Sequence, residues 1–455
     1  MSTLLEQASL IMIPSGYKED VVYSVIPETG AGDLSLTRAS NGTRINSAGL
    51  VEVVPWNLVQ YSEDFSNAIY TLQGGATITT NTTTAPNGTL TADTFAVANG
   101  QYLYQFINLV AGQSYTISIY LKVASGTKQF KFNTYGSSNN FTSSAITVTT
   151  EWQRFEYTFT AVASGSTGIY PAIVDGLASA TFFIWGFQVN IGSTAKPYFP
   201  TTDRLNVPRL TYQNGGGGCP SLLLEKQSTN YAIYSQDLNQ SVSSLMGGSV
   251  TDNNTTSPDG TQNADKFTVS SGTSGHTGYY ESPNGTNGSP FTASIFLKAG
   301  TGRYFLFRAM TNTYGTRYGV TIDLQSGTIL STNTAGSPTG TASKIENFGN
   351  GWYRVSLTMN CINTQIAYVW AASNTATPSL DIYLDYSYTG NGTDSYYIWG
   401  MTLENSSYPT SYIPTTSASA TRVADACFKT GISSLIGAST GTLFLYADIQ
   451  KHNDA

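Results

Sequence analysis

Apolar and polar residues alternate with period two along much of the chain. In YTISIYLKV (Tyr115–Val123), Tyr115, Ile117, Ile119 and Leu121 share one face, and Thr116, Ser118 and Tyr120 the other. RFEYTFTA repeats the pattern with Phe155, Tyr157 and Phe159, and FTASIFLKA repeats it with Phe291, Ala293, Ile295 and Leu297. This alternation is that of a strand with one buried face. Turn signals separate the runs: PNGT, PDGT, SGT and GNGW. No stretch carries a capped apolar stripe of period 3.6. Short one-faced strands at this spacing predict antiparallel two-sheet sandwiches of jelly-roll type, and an all-β fold.

The pattern occurs twice. NLVQYSEDF (Asn57–Phe65) matches NYAIYSQDL (Asn230–Leu238), and TAPNGTLTADTF (Thr84–Phe95) matches TSPDGTQNADKF (Thr256–Phe267). EWQRFEYTFTA (Glu151–Ala161) matches GWYRVSLTMNC (Gly351–Cys361). Each copy closes on one phrase, FFIWGFQVNIGSTAKPYFPTT (Phe182–Thr202) and YYIWGMTLENSSYPTSYIPTT (Tyr396–Thr416). The offset grows from 172 residues (Thr84 to Thr256) to 214 (Trp185 to Trp399), so insertions accumulate between matches, where loops belong. Trp152, Trp185, Trp352 and Trp399 are expected in the cores, with Gly186 and Gly400 permitting a bulge or close packing.

These matches divide the chain into a head (1–56), a first sandwich (57–203), a connector (204–228), a second sandwich (229–416) and a tail (417–455) made of a linker and the first strand of a further domain. The head reads as two strands joined by a turn at Asn41–Gly42, pairing with the connector into a small β platform that anchors and oligomerises. TLFLYADIQ in the tail reads as the first strand of a third, concanavalin-like sandwich.

Composition narrows the function. Asp, Glu, Lys and Arg make up only 11% of 455 residues, and the net charge is −7. Thr, Ser, Asn and Gly take their place, giving a hydrated surface on which salt has little to screen. Without a Lys/Arg cluster, counterion release is unavailable, which excludes nucleic acid as partner. No apolar run approaches the ~20 residues of a membrane span. The three cysteines, Cys219, Cys361 and Cys427, have no metal-ligand spacing and read as reduced thiols.

LTRASNGTRINSAGLVE, YSEDFSN, PRLTYQNGGGGCPSLLLEKQSTN, GNGWYRVSLT and TRVADACFKTGISSLIG, in this order, resemble appendage proteins of tailed bacteriophages. The likeness is closest to fibre-like virion proteins of crAss-like gut phages, and the repeated unit resembles carbohydrate-binding-module jelly rolls. The resemblance implies a structural, non-enzymatic protein on the virion surface, assembled in the host cytoplasm. Its implied partners are other copies of itself as a trimer, capsid, auxiliary or tail proteins, and host or mucosal glycans. A bacterial surface adhesin and the non-catalytic part of a phage depolymerase are the alternative readings.

Candidate chemistry is sparse. A sugar site needs exposed aromatic rings beside amides and carboxylates. NGQYLYQF (Asn99–Phe106) and HTGYYESPNGTN (His276–Asn287) occupy comparable places in the copies, so Tyr102, Tyr104, Tyr279 and Tyr280 are the candidate glycan-binding residues; the alternative is that one tyrosine of each pair lies in the core and the other covers a subunit interface. Asp381 and Asp385 in LDIYLDY are expected on one face of a strand as solvated or loop-anchoring groups, with calcium ligands or catalytic carboxylates as the alternative. Only two histidines, His276 and His452, are present, and no nucleophile elbow accompanies them, so no catalytic residue is assigned. No cofactor is assigned beyond room for a structural calcium in each sandwich, and no dense aspartate cluster is visible along the chain.

Overall fold

The computed structural model describes residues 7–14, 16–282, 285–311, 315–362, 366–381, 385–436 and 441–447. The chain divides into two compact units: one holds Lys18–Asp20 and Val53–Val207, the other Met1–Tyr17, Val21–Glu52 and Pro208–Ala455. Among the described residues there is one four-residue helix, Leu238–Ser241, and no helix long and apolar enough to cross a membrane. The all-β class and the tandem antiparallel sandwiches expected from periodicity are what the chain forms.

The first sandwich is built from β1 (Thr71–Gln73), β2 (Thr77–Thr83), β3 (Ala92–Val97), β4 (Tyr102–Leu109), β5 (Ser114–Lys122), β6 (Lys128–Tyr135), β7 (Gln153–Thr160), β8 (Gly165–Ile173) and β9 (Ala180–Ile191). One sheet has the order β7-β5-β9-β3-β2, and the other runs β6-β8-β4-β1. The second comprises β10 (Ser244–Met246), β11 (Gly248–Thr255), β12 (Ala264–Val269), β13 (Thr277–Ser282), β14 (Pro290–Ala299), β15 (Tyr304–Thr311), β16 (Arg317–Asp323), β17 (Thr328–Ala335), β18 (Ala342–Asn347), β19 (Trp352–Asn360), β20 (Ile366–Ser373) and β21 (Ser395–Glu404). Its sheets are β18-β19-β14-β21-β12-β11 and β10-β13-β20-β15-β16-β17. Removing β16, β17 and β18 leaves the strand order of the first sandwich, so the copies share topology as well as sequence.

The repeated phrases are the clasps that close each sandwich. Asn57 is fully buried; its Nδ2 donates to the carbonyls of Phe187 (3.1 Å) and Phe199 (3.0 Å), and its Oδ1 accepts from the N–H of Val59 (3.1 Å) and Val189 (3.2 Å). Asn230 repeats this with Met401, Ile413, Ala232 and Leu403 at 2.8–3.1 Å. One amide thus ties the first residues of a copy to its last strand and its Pro-Thr-Thr exit. A second stitch joins Ser62 to the Tyr198 hydroxyl at 2.8 Å, and Ser235 to that of Tyr412 at 2.7 Å. The Ile-Trp-Gly phrase marks a bulge in both copies. Pairing shifts register between Ser118 and Tyr120 and between Ser294 and Phe296, opposite Gly186 (φ 66°) and Gly400 (φ 67°). Left-handed backbone there calls for glycine. Trp185, Trp352 and Trp399 are buried beside the bulges, while Trp152 is half-buried and donates its Nε1–H to the Thr84 carbonyl at 3.0 Å.

The small β elements outside the sandwiches meet around buried charge. Arg38 binds Asp425 at 2.7 Å, Arg209 binds both Asp425 and Glu225, and Arg422 reaches Glu225 at 3.1 Å. All three arginines are buried. Burial pushes the Glu225 pKa up, but Arg209 and Arg422 outweigh it and hold the carboxyl at about 2. Head, connector and tail each contribute to this cluster. The tail segment, read as a linker, also pairs Ala420–Arg422 with Ser228–Asn230 and Ala426–Phe428 with Leu34–Thr37.

Two local expectations change. Asn41–Gly42 does not join paired strands: Gly42–Ile45 pairs with Val51–Val54 around a turn at Asn46–Gly49, where the Asn46 side chain accepts from Ala48 and Leu50. Gly42 instead gives room to buried arginine, since a Cβ there would lie 3.0 Å from Arg209 Cδ. The four-glycine run packs its backbone on that same hairpin turn; a Cβ on Gly49 would lie 2.3 Å from the Gly215 carbonyl carbon. In the tail, Gly441–Ala447 form no strand, and Leu443–Tyr446 are exposed. Alternation makes a strand only where a ladder partner exists. The remainder of TLFLYADIQ, and His452, lie outside the described residues.

Candidate glycan-binding face

The outer surface of the β6-β8-β4-β1 sheet carries the richest group of accessible rings in the first sandwich. On β4, Leu103, Gln105 and Ile107 point into the core, which turns Tyr102, Tyr104 and Phe106 outward. Pairing places Tyr135 of β6 beside Gly168 of β8, and Gly168 beside Phe106 of β4. Two exposed rings, Phe106 at 58% and Tyr135 at 65%, therefore flank a position without a side chain. Two strand spacings separate their backbones by about 10 Å.

The floor of this gap is aromatic too. Tyr104 and Tyr170 stack at 4.7 Å, and a Cβ on Gly168 would lie 3.3 Å and 3.2 Å from their rings. Burial, then the neighbouring Tyr104, Tyr102 and Tyr135, pushes the Tyr170 pKa up to about 12, so the Tyr170 phenol stays neutral at physiological pH. At one end the Tyr102 hydroxyl donates to Asp175 Oδ2 at 3.1 Å, and Lys131 Nζ donates to the Asp175 carbonyl at 2.9 Å. Asn133, registered with Tyr170, accepts from the Thr142 hydroxyl at 2.6 Å. Rings for C–H faces beside amide, carboxylate and ammonium groups suit a saccharide.

The predicted tyrosines divide. Tyr102 and Tyr104, two apart, lie together on this face. Tyr279 and Tyr280 are adjacent on β13 and therefore point to opposite sides. Tyr279 faces outward, packed against Met310, Ala367 and Val369. Tyr280 faces the core and donates its hydroxyl to the Ile233 carbonyl at 2.9 Å, so it presents no ring face to a ligand. Gln105 does the same work in the first copy, donating to the Gln60 carbonyl at 3.0 Å. Phe106, Tyr135 and Tyr170 were not among the predicted residues. Phe106 continues the alternation of Tyr102 and Tyr104; Tyr135 and Tyr170 come from other strands.

The counterpart face of the second sandwich differs. Tyr279 registers with Val369 and Val369 with Arg308, which stands where Asn133 stands in the first copy. Asp385 binds Arg308 Nη1 at 2.5 Å and approaches Arg317 Nη1 at 3.7 Å. Asp381 and Asp385 are not on a strand among the described residues: the Asp385 N–H donates to Asp381 Oδ1 at 2.8 Å, and residues 382–384 lie outside the description. Both serve as loop anchors.

Other chemistry is accounted for locally. His276 is buried, with Nδ1 at the Gly247 carbonyl and Nε2 3.2 Å from that of Tyr388. Contrary to the sequence reading, three aspartates do gather: Asp237, Asp252 and Asp265 place one carboxylate oxygen each within 4.8 Å of the others. They are the residues that could hold a cation in the second sandwich. Each already has local duties: Asp237 caps the short helix at Gln240, Asp252 accepts from Asn239 at 2.6 Å, and Asp265 accepts from the N–H of Leu238 and Asn253. Burial raises Asp265 to about 6 against those two hydrogen bonds. Asp93 plays the corresponding part in the first copy, accepting from Phe65 and Asn81.

No protein-family model matches the chain, and no curated protein matches it in sequence. Among solved structures, the tandem CBM22-1–CBM22-2 domain of Paenibacillus barcinonensis Xyn10C is 13% identical, with a TM-score of 0.24 over 77% of this chain and 98% of that one. A CBM4 structure is 18% identical, with a TM-score of 0.22 over 32% of this chain and 99% of that one. The CBM22-1–GH10 modules of Clostridium thermocellum Xyn10B, complexed with xylohexaose, are 16% identical, with a TM-score of 0.24 over 35% and 30% of the two chains.

Proposed function

We propose that this chain is a structural appendage protein of a tailed-phage virion that adheres to glycans through the outer face of its first sandwich. The observation that carries the adhesive role is the Phe106–Gly168–Tyr135 gap over the Tyr104–Tyr170 pair. Two large rings are held in water on a rigid sheet, where burial against a sugar ring is worth about 1–3 kcal/mol each. Lys131 and Asp175 give the face one charge of each sign, which favours an uncharged saccharide. Weak single contacts become firm adhesion when many copies stand on one particle. The virion assignment is supported by the resemblance of the ordered phrases to those of phage appendage proteins and by the low share of charged residues. The chain performs no catalysis in this reading.

A glycan array probed with the wild-type chain and with Phe106→Ala/Tyr135→Ala tests the adhesive role. Neutral glycans retained by the first and not by the second are expected; equal signals would end it. Immunogold labelling tests the location, with gold expected on the exterior of intact particles; unlabelled particles would remove the virion assignment.

A further inference from the structure

We propose that Arg308 and Arg317 form an anion site on the second sandwich for a carboxylate-bearing saccharide, and that Asp385 occupies this site in cis. That the ligand is a saccharide rests on the adhesive reading above; the anion site stands on its own geometry. Arg308 on β15 and Arg317 on β16 lie on one outer sheet face, two residue pairs apart in register. Their side chains are only 3% and 4% exposed, whereas that of Asp385 is 55% exposed. Gly319, opposite Arg308, makes room for it: a Cβ there would lie 2.8 Å from Arg308 Cγ.

Two buried guanidinium groups so close repel each other and are costly to desolvate, and burial, with Arg317 adding to it, lowers the pKa of Arg308 while Asp385 and Asp381 oppose. The two Asp385 oxygens divide between the two arginines, the way a ligand carboxylate would bridge them. The bridging acid comes from a loop and faces solvent, so it can leave the arginines without breaking a strand. The position matters because register makes this the same face that carries the aromatic gap in the first copy. There the neutral Asn133 stands at the place of Arg308, and the two charged groups nearby, Lys131 and Asp175, are of opposite sign. Duplication has produced two faces of opposite preference: an open aromatic one for neutral sugar, and a cationic one held closed by its own carboxylate for acidic sugar.

The test is titration of the full chain with a uronic-acid hexasaccharide and with the neutral hexasaccharide of the same linkage. Asp385→Asn should bind the uronate at least tenfold more tightly than wild type, with affinity falling as salt rises. The gain should vanish in Asp385→Asn/Arg317→Gln and should not appear with the neutral probe, which serves as control should the double variant fold poorly. Equal uronate affinity of wild type and Asp385→Asn, or an equal gain on the neutral probe, overturns the proposal. Phe106→Ala separates the two readings: it should weaken neutral binding about ten- to a hundredfold and leave the Asp385→Asn gain intact. A gain without neutral binding by wild type would remove the first-sandwich reading and leave this one standing.

Discussion

Single side chains decide both the closure of the sandwiches and the character of their faces. Asn57 and Asn230 each satisfy two backbone donors and two acceptors inside the protein, so truncation leaves four buried polar groups unpaired. Asn230→Ala is expected to destabilise the second sandwich by roughly 3–5 kcal/mol in urea denaturation, whereas Thr229→Ala, at an exposed hydroxyl pair, should cost less than about 1 kcal/mol. Gly168→Val should push Tyr104 and Tyr170 off the floor of the gap and weaken glycan binding about tenfold, with little change in the far-UV circular dichroism spectrum. Much of this face was legible. Tyr102 and Tyr104 are two apart in an alternating run and must share a side, and Phe106 follows by the same count. Tyr279 and Tyr280 are adjacent and cannot. Tyr135 and Tyr170 were not legible, because they arrive through strand pairing rather than spacing.

At the level of elements, periodicity located the strands of the sandwiches well, and the repeated phrases marked where each copy begins and ends. It failed where pairing is non-local. LSLTRAS and TRINSAGLVEVV look like one hairpin around Asn-Gly, yet the first pairs with a tail strand nearly four hundred residues on and the second folds on itself. The arginines of LTRAS, PRL and TRVAD read as surface charges in isolation, because nothing local reveals that they converge. Arg209→Met should show the difference: it leaves Asp425 and Glu225 buried with fewer partners and is expected to cost about 3–5 kcal/mol. Gly400→Ala tests the bulge in the same assay. Its left-handed backbone and a Cβ 2.8 Å from Phe296 Cδ2 predict a loss of roughly 1–3 kcal/mol.

The whole molecule is poor in charge, yet its buried acids give it a distinctive response to pH. Burial raises the pKa of Glu19, Glu63, Asp93, Asp265 and Glu404, with Asp265 at about 6. Between the unfolded values near 4 and the raised folded values, the folded protein binds more protons than the unfolded chain, so stability rises as pH falls from 7 toward 5. Glu225, held at about 2, works in the opposite direction: its contribution is present above the unfolded value and is lost as pH falls below about 4.5. Thermal midpoints should therefore peak near pH 5 and decline on both sides. A midpoint that climbs steadily from pH 5 to 8 would show that the raised carboxyls are not buried as described.

The adhesive face is the centre of the functional account, and calorimetric titration of the full chain with a glycan selected on the array tests it most directly. Wild type should bind with a negative heat-capacity change, Phe106→Ala and Tyr135→Ala should each bind about ten- to a hundredfold more weakly, and Tyr280→Phe should match wild type. Undiminished binding by Phe106→Ala/Tyr135→Ala would contradict the account.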